Sequence, residues 1–193
     1  MSTKNSNFFS RDCMVQALIQ LLKTKSLSNI TITELTERAG VSRMTYYRNY
    51  HSLDEIFSSY LKDLVESYRQ DVATWPDKGN YNDSRNMLHC YEYFNHYKEF
   101  IACLVQTGLG HLLLQALDSY ILDTYYTEDK GQDFYYTLRA FSGSLYNIYV
   151  TWILEDSKES ADPLSARSIR RFPDLFSIVI QQRTAQNTQS FII

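Results

Sequence analysis

The sequence predicts an all-α chain of about nine helices, and three observations carry that expectation. Apolar residues recur three and four positions apart over most of the length, the spacing of one helix face. No stretch alternates apolar and polar residues as a half-buried strand would. Only six glycines and three prolines are spread over 193 residues, which suits long helices joined by short connections.

Residues 8–25 read as a first amphipathic helix, with Phe8 or Phe9, Val15, Leu18, Ile19 and Leu22 as its buried stripe. Lys23 and Lys25 fall in its last turn, where the helix dipole favours cations. Ser26 to Asn29 form a loop. Thr31 and Glu34 then have capping-box spacing, the hydroxyl taking the Glu34 amide and the carboxylate reaching back to the Thr31 amide. Ile30 and Leu35 have the spacing of a hydrophobic staple. This second helix runs to Ala39 and stops at Gly40, since glycine enters the left-handed conformation without steric cost.

Ser42 caps a third, short helix. On it Tyr46 and Tyr50 share the docking face, Met44, Thr45 and Arg48 point the other way, and Arg43 and Tyr47 flank the exposed side. Ser52 and Glu55 form a second capping box and open a fourth helix, about 53–73. Trp75 to Asn80 is a break. Helices are then expected near 83–97, 99–106, 110–126 and 134–154, with a last one capped by Asp162, started by Pro163 and kinked or split at Pro173. Residues 184–193 read as a frayed tail.

Two turns of helix, a glycine turn and a second short helix are helix-turn-helix geometry. The third helix then has an apolar back and a front of Arg, Thr, Tyr and Arg, groups that bond to base edges and phosphates. Charge agrees. Residues 1–51 hold seven Lys and Arg against three acids, and the remainder is net acidic, although the whole chain carries −3. A basic head on an acidic body suits docking on phosphates at one end.

Residues 30–61 resemble the DNA-binding domain of TetR/AcrR-type transcriptional regulators. The resemblance lies in the Ile-Thr opening, Leu35, Ala39-Gly40-Val41-Ser42, Thr45-Tyr46-Tyr47-Arg48-Asn49-Tyr50, Ser52, the acidic pair and Ile56-Phe57. More weakly, residues 134–160 are similar to a C-terminal domain of some members, with a small-residue patch before a Trp and an apolar run. The resemblance implies a DNA-binding head at 1–52, a linking fourth helix at 53–73, and an effector-binding and dimerisation body over 53–183. It places Thr31, Thr33, Ser42, Arg43, Met44, Thr45, Tyr47, Arg48, Asn49 and His51 at double-stranded DNA. The chain departs from the family at the start of the fourth helix. A phosphate-touching lysine is common there, and this sequence reads His51-Ser52-Leu53.

Other classes are disfavoured. No apolar run approaches the ~18 residues of a membrane span, and the polar N-terminus lacks a signal-peptide core, so a cytoplasmic protein is expected. Cys13, Cys90 and Cys103 are odd in number and scattered, which suits reduced thiols. Ser142-Gly143-Ser144 lies inside a helix and is no nucleophile elbow, and phosphate-loop, dinucleotide-binding and zinc-protease motifs are absent. No enzyme, metal or cofactor is expected.

In the body, eleven of the sixteen tyrosines lie beyond residue 80. His89, Tyr93, His96, Tyr97 and Tyr125 are the candidate lining of a pocket for an amphipathic or aromatic effector. The eighth helix is apolar nearly all round, which asks for burial on several sides. Its seam, with Phe141, Leu145, Ile148 and Trp152, together with Phe172, Phe176 and Val179 of the last helix, is the candidate homodimer interface. The leading expectation is a ligand-responsive, dimeric repressor on a palindromic operator. The second is a co-regulator of the same fold that works by binding protein.

Overall fold

The computed structural model describes residues 3–77 and 79–155, with side chains from Phe9 onward. Eight α-helices and no strand occur among them: α1 (Thr3–Leu22), α2 (Ile32–Ala39), α3 (Arg43–Asn49), α4 (Leu53–Ala73), α5 (Ser84–Asn95), α6 (Lys98–Gln106), α7 (Gly110–Tyr125) and α8 (Gly131–Leu154). The expected last helix lies outside the described residues.

Local chemistry sets most boundaries. Thr31, Ser42 and Ser52 sit in extended backbone, and each hydroxyl accepts the amide three residues on. One such cap contributes about 1 kcal/mol. Gly40 closes α2 at φ 66°, with the Val41 amide donating back to the Thr36 carbonyl at 3.0 Å. That six-to-one bond is the Schellman pattern, and it needs the left-handed residue.

Several boundaries and caps differ from the reading of the sequence: α1 begins at Thr3 and not near residue 8, and α8 at Gly131 and not near residue 134. α1 ends at Leu22, and the Thr24 and Lys25 amides both close on the Leu21 carbonyl. Lys23 and Lys25 therefore lie past the last turn. Lys25 instead reaches Glu34 at 2.6 Å, which diverts that carboxylate from the Thr31 amide and leaves the first capping box one-sided. The second box is shifted too: Glu55 accepts the His51 amide at 2.6 Å.

α1 to α3 form the head, with Met14, Leu18, Leu35, Tyr46 and Tyr50 packed inside it. α4 runs through both parts. Its first turns close the head, where Tyr60 donates to Asp12 at 3.2 Å and Arg11 pairs with Asp63 at 2.8 Å. Ile56 and Phe57 are fully buried there. Phe100 of α6 packs against the Tyr60 ring at 4.9 Å and the Phe57 ring at 5.9 Å, so the body begins against the same surface. α7 packs along α8 and against α4, and Tyr91 of α5 stacks on Tyr149 of α8 at 5.8 Å. Between α7 and α8 Ser142, fully buried, donates to the Asp118 carboxylate, which also holds Arg139 at 3.3 Å.

Candidate nucleic-acid interface

The head presents α3 as its exposed rim. Tyr46 and Tyr50 face inward, and their rings lie 5.9 Å apart. Tyr46 is 1% exposed, and burial raises its hydroxyl's pKa above the ordinary tyrosine value. α3 is thus anchored by two large rings although it is only seven residues long. The outward face carries Ser42, Arg43, Met44, Tyr47 and Arg48, all exposed. Tyr47 stands edge-on to Tyr46 at 5.4 Å, so its ring is held while its hydroxyl is free to point outward.

The sequence-derived DNA set divides into two groups. Arg43, Met44, Tyr47, Arg48, Thr33 and His51 are exposed and available. Among the described residues neither Arg43 nor Arg48 has a carboxylate within ion-pair distance. Four polar side chains are already engaged. The Thr31 hydroxyl accepts the Glu34 amide at 3.2 Å as the cap of α2. Ser42 and Thr45 share a hydroxyl contact at 2.9 Å in the cap of α3. Asn49 donates to the Thr45 carbonyl at 2.6 Å and so closes the helix it sits on. Capping competes with DNA for these groups, and spacing alone does not reveal the competition. At the start of α4 the His51 amide is taken by Glu55, which leaves the exposed imidazole where a phosphate-binding lysine would stand.

The body holds an apolar cavity of about 40 Å³ among α4, α5, α7 and α8. Tyr68, Asn86, Cys90, Tyr120 and Tyr125 line it with apolar neighbours, and among the described residues no charged side chain does. Burial pushes the Cys90 thiol up to about 12. Of the five expected pocket residues only Tyr125 is placed there. His89 stacks on Tyr68, Trp75 lies tilted against it at 4.8 Å, and its Nε2 is 2.8 Å from Asp71. Tyr93 donates to the Leu64 carbonyl, His96 bonds the carbonyl of Glu92 in its own helix, and Tyr97 packs on Tyr93. The cavity arises where four helices meet, and helical spacing on α5 alone does not register that junction. Among the described residues no three His, Cys, Asp or Glu side chains gather as a metal site.

The expected dimer seam is also reassigned. Phe141, Leu145 and Trp152 are buried within the protomer. Phe141 meets Tyr81 at 5.0 Å, Trp152 lies 6.3 Å from Tyr91, and Leu145 lines the cavity. Ile148 is half-buried against the same core. The body is small, and its own core takes the helix's most apolar face first. Phe172, Phe176 and Val179 lie outside the described residues.

No family model matches the chain. A curated relative, an uncharacterised helix-turn-helix-type transcriptional regulator, YxbF, of Bacillus subtilis, is 26% identical over 174 residues, which is 83% of this chain and 45% of that protein. The chain thus spans under half the length of that relative. Among solved structures, a TetR-family transcriptional regulator from Streptomyces coelicolor matches 92% of this chain and 83% of its own, at 13% identity and a TM-score of 0.57. The regulator FadR of Bacillus subtilis in complex with stearoyl-CoA matches 83% of this chain and 96% of its own, at 13% identity and a TM-score of 0.54. The architecture described above is the one those regulators share.

Proposed function

We propose that this chain, which has the fold of TetR-type regulators, is a DNA-binding transcriptional regulator that acts as a ligand-responsive repressor. The observation that carries the reading is the outward face of α3: two guanidiniums without a carboxylate partner among the described residues, with Met44 and Tyr47 between them, on a helix anchored by buried tyrosines. A helix so mounted enters the major groove with its N-terminal turn against base edges. The resemblance of residues 30–61 and the relative's name point the same way.

A palindromic operator requires two copies of the head. α8 offers a second face for pairing, with Tyr136, Ala140, Gly143, Asn147, Val150 and Leu154 three and four positions apart. Among the described residues Tyr136 and Leu154 are exposed and a Cβ added at Gly143 would meet nothing within 4 Å, which would allow close helix approach on this face. An effector would enter the body cavity and favour a state whose two heads no longer match the operator. The cavity is smaller than the roughly 150 Å³ that accepts a benzene ring, so Tyr68, Tyr120 and Tyr125 would have to move to admit one. Its lining selects neutral, flat or amphipathic molecules.

A gel shift on the promoter of the chain's own gene tests DNA binding, and light scattering at micromolar concentration tests the dimer. A monomer mass would remove the palindromic operator. The second reading, a co-regulator working through protein contacts, is favoured by one observation: the His51 amide is occupied and no lysine stands at the start of α4. A genome-wide binding map with discrete sites decides against it.

A further inference from the structure

Met44 is the most exposed large apolar side chain among the described residues, at 76%, and nothing in the fold uses it. A single exposed methionine is unremarkable on a protein surface. Its position is not. Met44 is one residue from Arg43, three from Tyr47 and four from Arg48, so the four side chains form one patch on one helical face. The arginines fit phosphates, guanine edges or both. The Tyr47 hydroxyl, on a ring held against Tyr46, fits a phosphate oxygen. Met44, in the first turn of α3, has no polar group to offer to either.

The major groove presents only one apolar group, the 5-methyl of thymine. We propose that Met44 is a specificity-determining residue whose thioether covers a thymine methyl, so that the half-site contains a thymine at the position facing the first turn of α3. The flanking guanidiniums supply the charge complementarity that makes duplex DNA the occupant of this patch. This reading depends on α3 being the groove reader proposed above.

The test starts from a duplex selected by the full chain from a randomised library. Each thymine is then replaced in turn by deoxyuridine, which removes one methyl and leaves every hydrogen-bonding group in place. At one position per half-site the wild-type chain should bind about fourfold more weakly, the worth of one methyl covered from water. Met44→Ala should bind the thymine and uracil duplexes alike. It should melt with the wild type, since the side chain is exposed. Arg43→Ala should weaken both duplexes and keep the fourfold ratio. If uracil is tolerated at every position, or the penalty persists in Met44→Ala, the assignment to Met44 is wrong while DNA reading by α3 stands. If the penalty disappears only in Tyr47→Ala, Tyr47 is the reader and Met44 is not. If no duplex is retained in the selection, the DNA-binding reading fails and the assignment falls with it.

Discussion

Replacing Gly40 separates backbone conformation from packing at the turn that aims α3. Gly40 has φ 66°, and a Cβ built there meets nothing within 4 Å among the described residues. Substitution therefore creates no clash with neighbours, and the cost is conformational alone. An L-residue in the left-handed region costs about 1–2 kcal/mol. Replacing glycine also narrows the unfolded ensemble, which offsets about 0.4–1 kcal/mol. Gly40→Ala should then lose about 0.5–1.5 kcal/mol net, or roughly 1–6 °C in melting temperature for a chain of this length. Asparagine tolerates the left-handed region better, so Gly40→Asn should lose clearly less than Gly40→Ala. Valine, β-branched, should lose more than either. Thermal melts by circular dichroism at one fixed protein concentration measure all three. Equal losses for Ala and Asn, or no loss for Ala, would refute the claim that a left-handed residue holds the turn. The Schellman bond from Val41 to Thr36 at 3.0 Å would then have to be maintained some other way.

Arg43→Ala should cost about 1–3 kcal/mol in operator binding and relax selection at one base position, whereas Tyr47→Phe and Arg48→Ala should weaken all sequences more evenly; gel shifts on cognate and scrambled duplexes compare them, and unchanged affinity in all three would remove α3 as the reader. Ser142→Ala leaves the largely buried Asp118 carboxylate without one donor and should cost about 1–3 kcal/mol, read from the urea midpoint. Alkaline pH should destabilise the fold. Burial raises the Cys90 and Cys103 thiols from 9.0 to about 12 and about 11, and Tyr93 from 10.0 to about 12. Above about pH 9 the unfolded chain releases protons that the folded chain keeps, so stability present below that pH is lost as pH rises through those values. Urea midpoints that fail to fall between about pH 9 and about pH 11 would contradict the burial of these groups.

The head was the legible part of the sequence. α2 and α3 are delimited by short-range chemistry, and Thr31, Gly40, Ser42 and Ser52 announce it within three or four residues. What the head's residues do with their spare groups was less legible. Glu34 and Glu55 choose Lys25 and the His51 amide over the expected partners, because the folded loops bring these closer. Asn49 has the chemistry to read adenine but closes its own helix, and no spacing rule distinguishes the two uses. The body was harder for a plain physical reason. Tyr81 and Asn86, which line the cavity, are set against α8 and α7 by Phe141 and Tyr125, over fifty and about forty positions away. On α8, periodicity identified an apolar helix correctly but could not say which face the protomer itself would take.

The continuity of α4 has a consequence for how the molecule comes apart. Its 21 residues span roughly 32 Å at 1.5 Å per residue, and they carry Phe57 in the head and Tyr68 and Val72 in the body without a break. The buried apolar residues of both parts accordingly form a single cluster. A head released by cutting near residue 52 would lose Ile56, Phe57 and Tyr60 and expose the rings they cover. Unfolding should therefore be one cooperative event, with amide exchange in α2 sharing its slowest rates with α7. Any molecule that tightens the body would then also slow the fraying of α3, the helix proposed to read DNA.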